Sequence, residues 1–108
     1  MATAQDFRRV ALSLAGTVEA PHFDRTAFKV RRIYATLTAD GKTANLMLTP
    51  DEALKCELGP DAFSPVPNAR GARGATTAKL SALTVPELQD ALTVAWRHAI
   101  APKGRKRG

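Results

Sequence analysis

From Phe28 to Leu48 apolar residues recur at every second position within short runs: Phe28 and Val30, then Ile33, Ala35 and Leu37, then Ala44, Leu46 and Leu48. A period of two belongs to β-strands, whose successive side chains point to opposite faces. These residues would then all face one way, while Lys29, Arg31, Tyr34, Thr36, Asn45 and Met47 stand on the other face. The interruptions read as turns. Arg31-Arg32 leaves room only for a tight one, and Asp40-Gly41 tolerates the positive φ angles of a type I′ hairpin. An antiparallel meander follows, with one apolar face that needs a cover.

Two terminal helices supply it. Thr3 can cap a helix in which Phe7, Val10, Ala11 and Leu14 share one face, with Gly16 as its stop. Near the other end, Thr84 and Glu87 form a capping box ahead of a stripe made by Leu88, Leu92, Ala95, Trp96 and Ala99, and Pro102 ends that helix. Trp96 on the stripe reads as a core residue. A shorter helix begins at the Thr49 cap with Pro50 at its first position and Asp51 and Glu52 against its positive end; Gly59 stops it, and Ala53, Leu54 and Leu58 would lie on the sheet. The stretch "EAPHFDRTAF" reads as irregular chain or an edge strand, "GPDAFSPVPNARGARG" as a long surface loop anchored by Phe63 and Val66, and "ATTAKL" as a last strand. The fold class is α+β: an antiparallel sheet meander covered on one face by N- and C-terminal helices, the other face being open.

A length of 108 residues, 44% of them hydrophobic, suits one core. The expected organisation is a single domain over 1–102 and a disordered basic tail over 103–108. No apolar run has the roughly 18 residues of a membrane span and the N-terminus has no signal-type stretch, so a cytoplasmic protein is expected. The net charge of +6 is mostly the tail's, since without Lys103, Arg105, Lys106 and Arg107 it falls to +2. The single cysteine, Cys56, reads as a small helix hydrophobe, and His22 and His98 have no clustered carboxylates beside them, so no metal and no cofactor are expected. Neither histidine nor Ser13, Ser64 or Ser81 sits in a nucleophile motif, and no enzyme activity is expected. "GARG" at 71–74 has the spacing of a KH-type phosphate clamp but not its helix-to-helix context, and no Gly-Lys-Ser/Thr run opens a helix.

The segments "LSLAGTVEAPHFDRTAFKV", "RRIYATL", "ANLMLTPDEA", "FSPVP" and "LQDALTVAWRHAIAPK", in that order and spacing, resemble the MmcQ/YjbR family of small bacterial proteins over nearly the whole chain. The resemblance implies a topology similar to CyaY (frataxin), described as a double-wing DNA-binding arrangement. Arg32 keeps the charge of the family's usual lysine, and Asn45 and Thr49-Pro50 match its pattern. Ala75 stands where the family usually has a tryptophan, and with only Asp6 in the first helix the acidic iron-binding ridge of frataxins is missing.

Recognition through surface charge remains. The expected nucleic-acid contacts are Arg25, Lys29, Arg31, Arg32, Tyr34, Arg70, Arg73 and Lys79 on or near the open face, with Lys103, Arg105, Lys106 and Arg107 in the tail. The leading reading is a monomeric, phosphate-directed DNA-binding protein with weak sequence selectivity. The alternative is a protein-interaction or small-ligand adaptor that uses the same open sheet face without catalysis.

Overall fold

The first helix, α1 (Ala4–Ser13), opens on a reciprocal cap: the Thr3 hydroxyl accepts from the Asp6 amide at 3.1 Å and the Asp6 carboxylate accepts from the Thr3 amide at 3.0 Å. Asp6, also bonded to Arg9, is held below its usual carboxylate pKa, first by the Arg9 hydrogen bond and then by the amide and hydroxyl of Thr3. The computed structural model of the protein describes residues 2–57, 62–66 and 73–101. The expectations made for the Cys56 side chain, Leu58, Gly59, Arg70, Gly71 and the 103–108 tail lie outside the described residues.

Strands β1 (Val18–His22), β2 (Arg25–Lys29), β3 (Ile33–Thr38) and β4 (Thr43–Met47) follow, then α2 (Pro50–Glu57), β5 (Phe63–Pro65), β6 (Ala75–Lys79), a 3-10 turn (Leu80–Ala82) and α3 (Val85–Ile100). The six strands form one antiparallel sheet in the order β1-β2-β3-β4-β6-β5. One apolar cluster joins the helices to one face of that sheet. Phe7 of α1 meets Phe28 of β2 edge to face at 5.3 Å, and Leu88, Leu92 and Ala95 of α3 pack with Ala35, Leu46 and Ala78. The architecture is therefore α+β, with an open sheet face, as the two periodicities imply.

Several local expectations change. Tyr34, expected on the open face, is fully buried among the helices, and Ile33, expected in the core, faces the open side. The cause is a β-bulge. Phe28 pairs with Ala35 and Lys29 with Ile33, so Tyr34 is an extra residue that turns to the same side as Ala35. Its hydroxyl donates to the Ala11 carbonyl at 3.2 Å and meets the Thr17 hydroxyl at 3.0 Å.

The Asp40-Gly41 connection is a four-residue loop rather than a two-residue type I′ turn, with Gly41 at φ +70°. Asp40 organises it by accepting from the Thr38 hydroxyl at 2.7 Å and the Lys42 amide at 2.9 Å. "EAPHFDRTAF" forms the regular hairpin of β1 and β2 with Phe23-Asp24 as its turn, β1 being the edge strand that is one of the two readings of this stretch, and Phe63–Pro65, expected in a loop, forms an edge strand on β6. Leu54 is 56% exposed instead of lying on the sheet. Trp96 sits at the core's rim, partly buried, where its ring N–H donates to the Ala15 carbonyl at 2.9 Å.

Gly74 adopts φ +108°, and a Cβ there would overlap the backbone of Leu48 and Thr49. Both the conformation and the space demand glycine. Gly74→Ala is expected to lower stability by about 3 kcal/mol or more in urea unfolding, and a loss under about 1 kcal/mol would contradict this close approach.

Burial raises the Tyr34 pKa above its ordinary value of 10.0, against a smaller opposing effect of the Thr17 hydrogen bond. A raised pKa in the folded state contributes stability that is complete below the unfolded value and is lost as pH rises through the folded one. Tyr34→Phe is expected to cost about 1 kcal/mol at neutral pH, and that deficit should shrink above about pH 10. Denaturant unfolding of both proteins at neutral and alkaline pH measures it; a deficit independent of pH would refute the assignment.

Candidate anion-binding face

Strand register sorts the side chains. Directly paired residues share a face, so Phe28, Ala35, Leu46 and Thr76 point to the helices, while Ala27, Thr36, Asn45 and Thr77 point away from them. This central row of the open face is small and uncharged, with Ala27 and Thr36 buried and Asn45 and Thr77 partly exposed. Lys79 and Arg25 lie toward one end of the strands, and Lys29 lies toward the other. Arg31 in the β2–β3 turn, Lys42 in the β3–β4 loop and Arg73 ahead of β6 are exposed at the rim.

The expected contacts therefore divide. Arg25, Lys29 and Lys79 share the open face, and Arg31 and Arg73 stand at its margins. Tyr34 is removed from it by the bulge. Arg32 is committed elsewhere, since its guanidinium donates to the His98 carbonyl at 2.7 Å, satisfying one of the free carbonyls at the end of α3. Arg70, Lys103, Arg105, Lys106 and Arg107 fall outside the described residues.

The face is not flat. At its β1–β2 end lies an open cavity of about 410 Å³. His22, Phe23, Asp24 and Arg25, from the hairpin, form one wall; Thr36 and Asn45 line it from the central row, with Ile33 and Met47 beside them. Met47 also borders a smaller recess shared with Arg73. The Thr77 hydroxyl donates to Asn45 Oδ1 at 2.9 Å, which fixes the amide with Nδ2 free of any protein acceptor among the described residues. Arg25 Nη1 is buried and has no hydrogen-bond partner among the described residues.

Sequence reasoning missed Phe23. It is 96% exposed at the hairpin tip with φ +60°, a conformation that favours glycine and that aromatic residues rarely take. Its ring stands edge-on to His22 at 4.9 Å. The absence of glycine in "HFDR" hid the turn, and once His22 pairs with Arg25 the two-residue connection favours a turn with positive φ at its first position.

Solved structures similar to this chain include the following two. Protein DR2400 of Deinococcus radiodurans, which carries the domain DUF419, superposes with a TM-score of 0.75 at 21% identity over 99% of this chain and 84% of its own. A protein from Pseudomonas syringae superposes with a TM-score of 0.68 at 16% identity over 88% of this chain and 97% of its own. At these identities the likeness shows a shared fold. No family model matches the sequence, and no curated protein matches it. Among the described residues no group of three or more His, Cys, Asp or Glu could hold a metal ion, and no helix is long and apolar enough to cross a membrane.

The strain at Phe23 has a measurable consequence. Phe23→Gly is expected to raise stability by up to about 1 kcal/mol, because an exposed ring contributes little packing while the left-handed backbone costs energy for any Cβ-bearing residue. A clear loss of stability on thermal unfolding would mean that the ring packs against the fold.

Proposed function

We propose that this is a small DNA-binding protein of the MmcQ/YjbR type, with a CyaY-like double-wing arrangement, that acts as a monomer in the cytoplasm. It contacts phosphates with its open sheet face and reads little sequence. The observation that carries this reading is the segregation of charge across the sheet. Strand positions on the open face carry Arg25, Lys29 and Lys79 and no carboxylate; Asp24 and Asp40 stand in the turns at its margin, and Asp6, Glu19, Asp51, Glu52, Glu87 and Asp90 belong to the helices or to the helix-covered face.

Spacing supports it as well. Arg25 and Lys29 are four residues apart on one strand and Arg25 and Lys79 three strands apart, each a separation of about 13–14 Å. Phosphates flanking a major groove about 12 Å wide are separated on the same scale. Asn45 and Thr77, partly exposed between them, can supply neutral hydrogen bonds. With Tyr34 buried, the interior of the face offers no aromatic ring for stacking, which favours backbone contacts on a duplex over binding of splayed bases.

The adaptor reading keeps one specific support: the cavity at Arg25 is shaped for something smaller than a duplex.

Fluorescence anisotropy with labelled duplex DNA tests the main reading. If about three phosphates are neutralised, raising salt from about 50 to about 200 mM should weaken binding roughly 40-fold. Lys29→Glu/Arg73→Glu/Lys79→Glu should lose most of the affinity and of that salt dependence. Neutralising Lys103, Arg105, Lys106 and Arg107 in the full chain isolates the tail's share. Parent-like binding by the triple charge reversal would remove the sheet face as the DNA site.

A further inference from the structure

We propose that the cavity beside the β1–β2 hairpin binds a small organic monocarboxylate with a flat apolar body. The inference rests on the adaptor reading and shares Arg25, but neither Lys29 nor Lys79, with the proposed DNA contacts.

Three features of the cavity define that ligand. The first is Arg25. A guanidinium always carries its charge, and a buried N–H of such a group without an acceptor is an uncompensated cost of the fold. Nη1 is itself enclosed, so an incoming carboxylate would meet the guanidinium N–H groups with which Arg25 lines the cavity, and charge-assisted bonds of this kind are the strong ones.

The second is the rest of the polar lining. Asn45, held by Thr77 through its oxygen, offers its amide N–H groups to the same space, and the Thr36 hydroxyl lies between the two strands that carry Arg25 and Asn45. Asp24 shares the lining with Arg25, so the site contains one fixed cation and one carboxylate. A singly charged ligand oriented by Arg25 and Asn45 suits that balance. A phosphate dianion would meet the Asp24 charge, and this sets the site apart from the phosphate-directed surface around it.

The third is the apolar half. Ile33 reaches the cavity only because the bulge at Tyr34 reverses its side, and Met47 faces it across β3 and β4. Phe23 stands at the mouth with nearly its whole ring in solvent, held there by a backbone conformation that costs energy. A flat apolar body between Met47, Ile33 and Phe23 would cover surface that the protein leaves bare. A cavity of about 410 Å³ accommodates an arene carboxylate.

The test uses the full chain, with benzoate as probe, followed by two-dimensional NMR and calorimetry. Benzoate should bind saturably, shifting the signals of Arg25 Nε–H, the Asn45 amide and the Met47 methyl, while acetate binds more weakly for want of the ring and phenyl phosphate more weakly because of its second charge. Arg25→Gln should weaken benzoate at least tenfold. Because Arg25 is partly buried, Asn45→Asp serves as a second variant: it keeps the shape and the bond from Thr77, places a negative charge where the carboxylate would lie, and should abolish binding. Lys29→Glu/Arg73→Glu/Lys79→Glu should leave benzoate affinity unchanged even where it removes DNA binding, so the two readings fail separately. No saturable benzoate shift, parent-like binding by Arg25→Gln and Asn45→Asp, or tighter binding of phenyl phosphate than of benzoate would each overturn the proposal.

Discussion

Phe28 pairs with Ala35 and Lys29 with Ile33, and the residue left over between those pairs, Tyr34, determines what lies on both sides of the sheet. On the helix side its ring is buried among α1 and the strands, and its hydroxyl binds the Ala11 carbonyl and Thr17, tying the end of α1 and the chain after it to β3. On the open side the same bulge leaves Ile33 where regular alternation would have put Tyr34. One inserted residue therefore exchanges an aromatic alcohol for an aliphatic wall. The core gains a polar latch with its partners supplied, and the open face loses its stacking platform while gaining the apolar lining of a cavity.

Most of the scaffold was legible because its signals are local. The capping boxes at Thr3-Asp6 and Thr84-Glu87 need only four residues to be read, and both form reciprocal hydrogen bonds. β4 alternates without interruption, so the assignment of Ala44 and Leu46 to the core and of Asn45 and Met47 to the open face follows from parity alone. What escaped depends on pairing between segments. A bulge changes no residue type and leaves no mark on the alternation of β3 until β2 is laid beside it. β5 has three residues, one of them proline, and becomes a strand because β6 presents an edge to it. The Asp40-Gly41 signal marked the right place and the wrong turn, since the loop length is set by Thr38 and Thr43 bonding each other across its base.

The candidate site was legible in its charges and not in their roles. Arg25, Lys29, Arg32 and Lys79 look alike in the sequence, and only their surroundings distinguish them. Arg32 closes the end of a helix 66 residues away. Lys29 and Lys79 stay in solvent, where each contributes a screened, non-directional attraction. Arg25 has one nitrogen buried without a partner and thus an unmet directional demand.

Those differences let the two proposed modes of recognition occupy one face with Arg25 as the cation they share. A phosphate backbone is a broad target that tolerates displacement of any one cation, and exposed lysines on separate strands suit it because their long stems adapt at little cost. A single carboxylate in a cavity needs fixed donors. The rigidity for that comes from the bond of Thr77 to Asn45, from the pairing of Arg25 with His22 next to the strained turn at Phe23, and from the bulge that sets Ile33. Strain at Phe23 is explicable on those terms, because relaxing the tip to an ordinary backbone would reorient His22 and Asp24 together. The hairpin keeps an unfavourable residue conformation in return for a defined wall, which an exposed basic surface alone would not require.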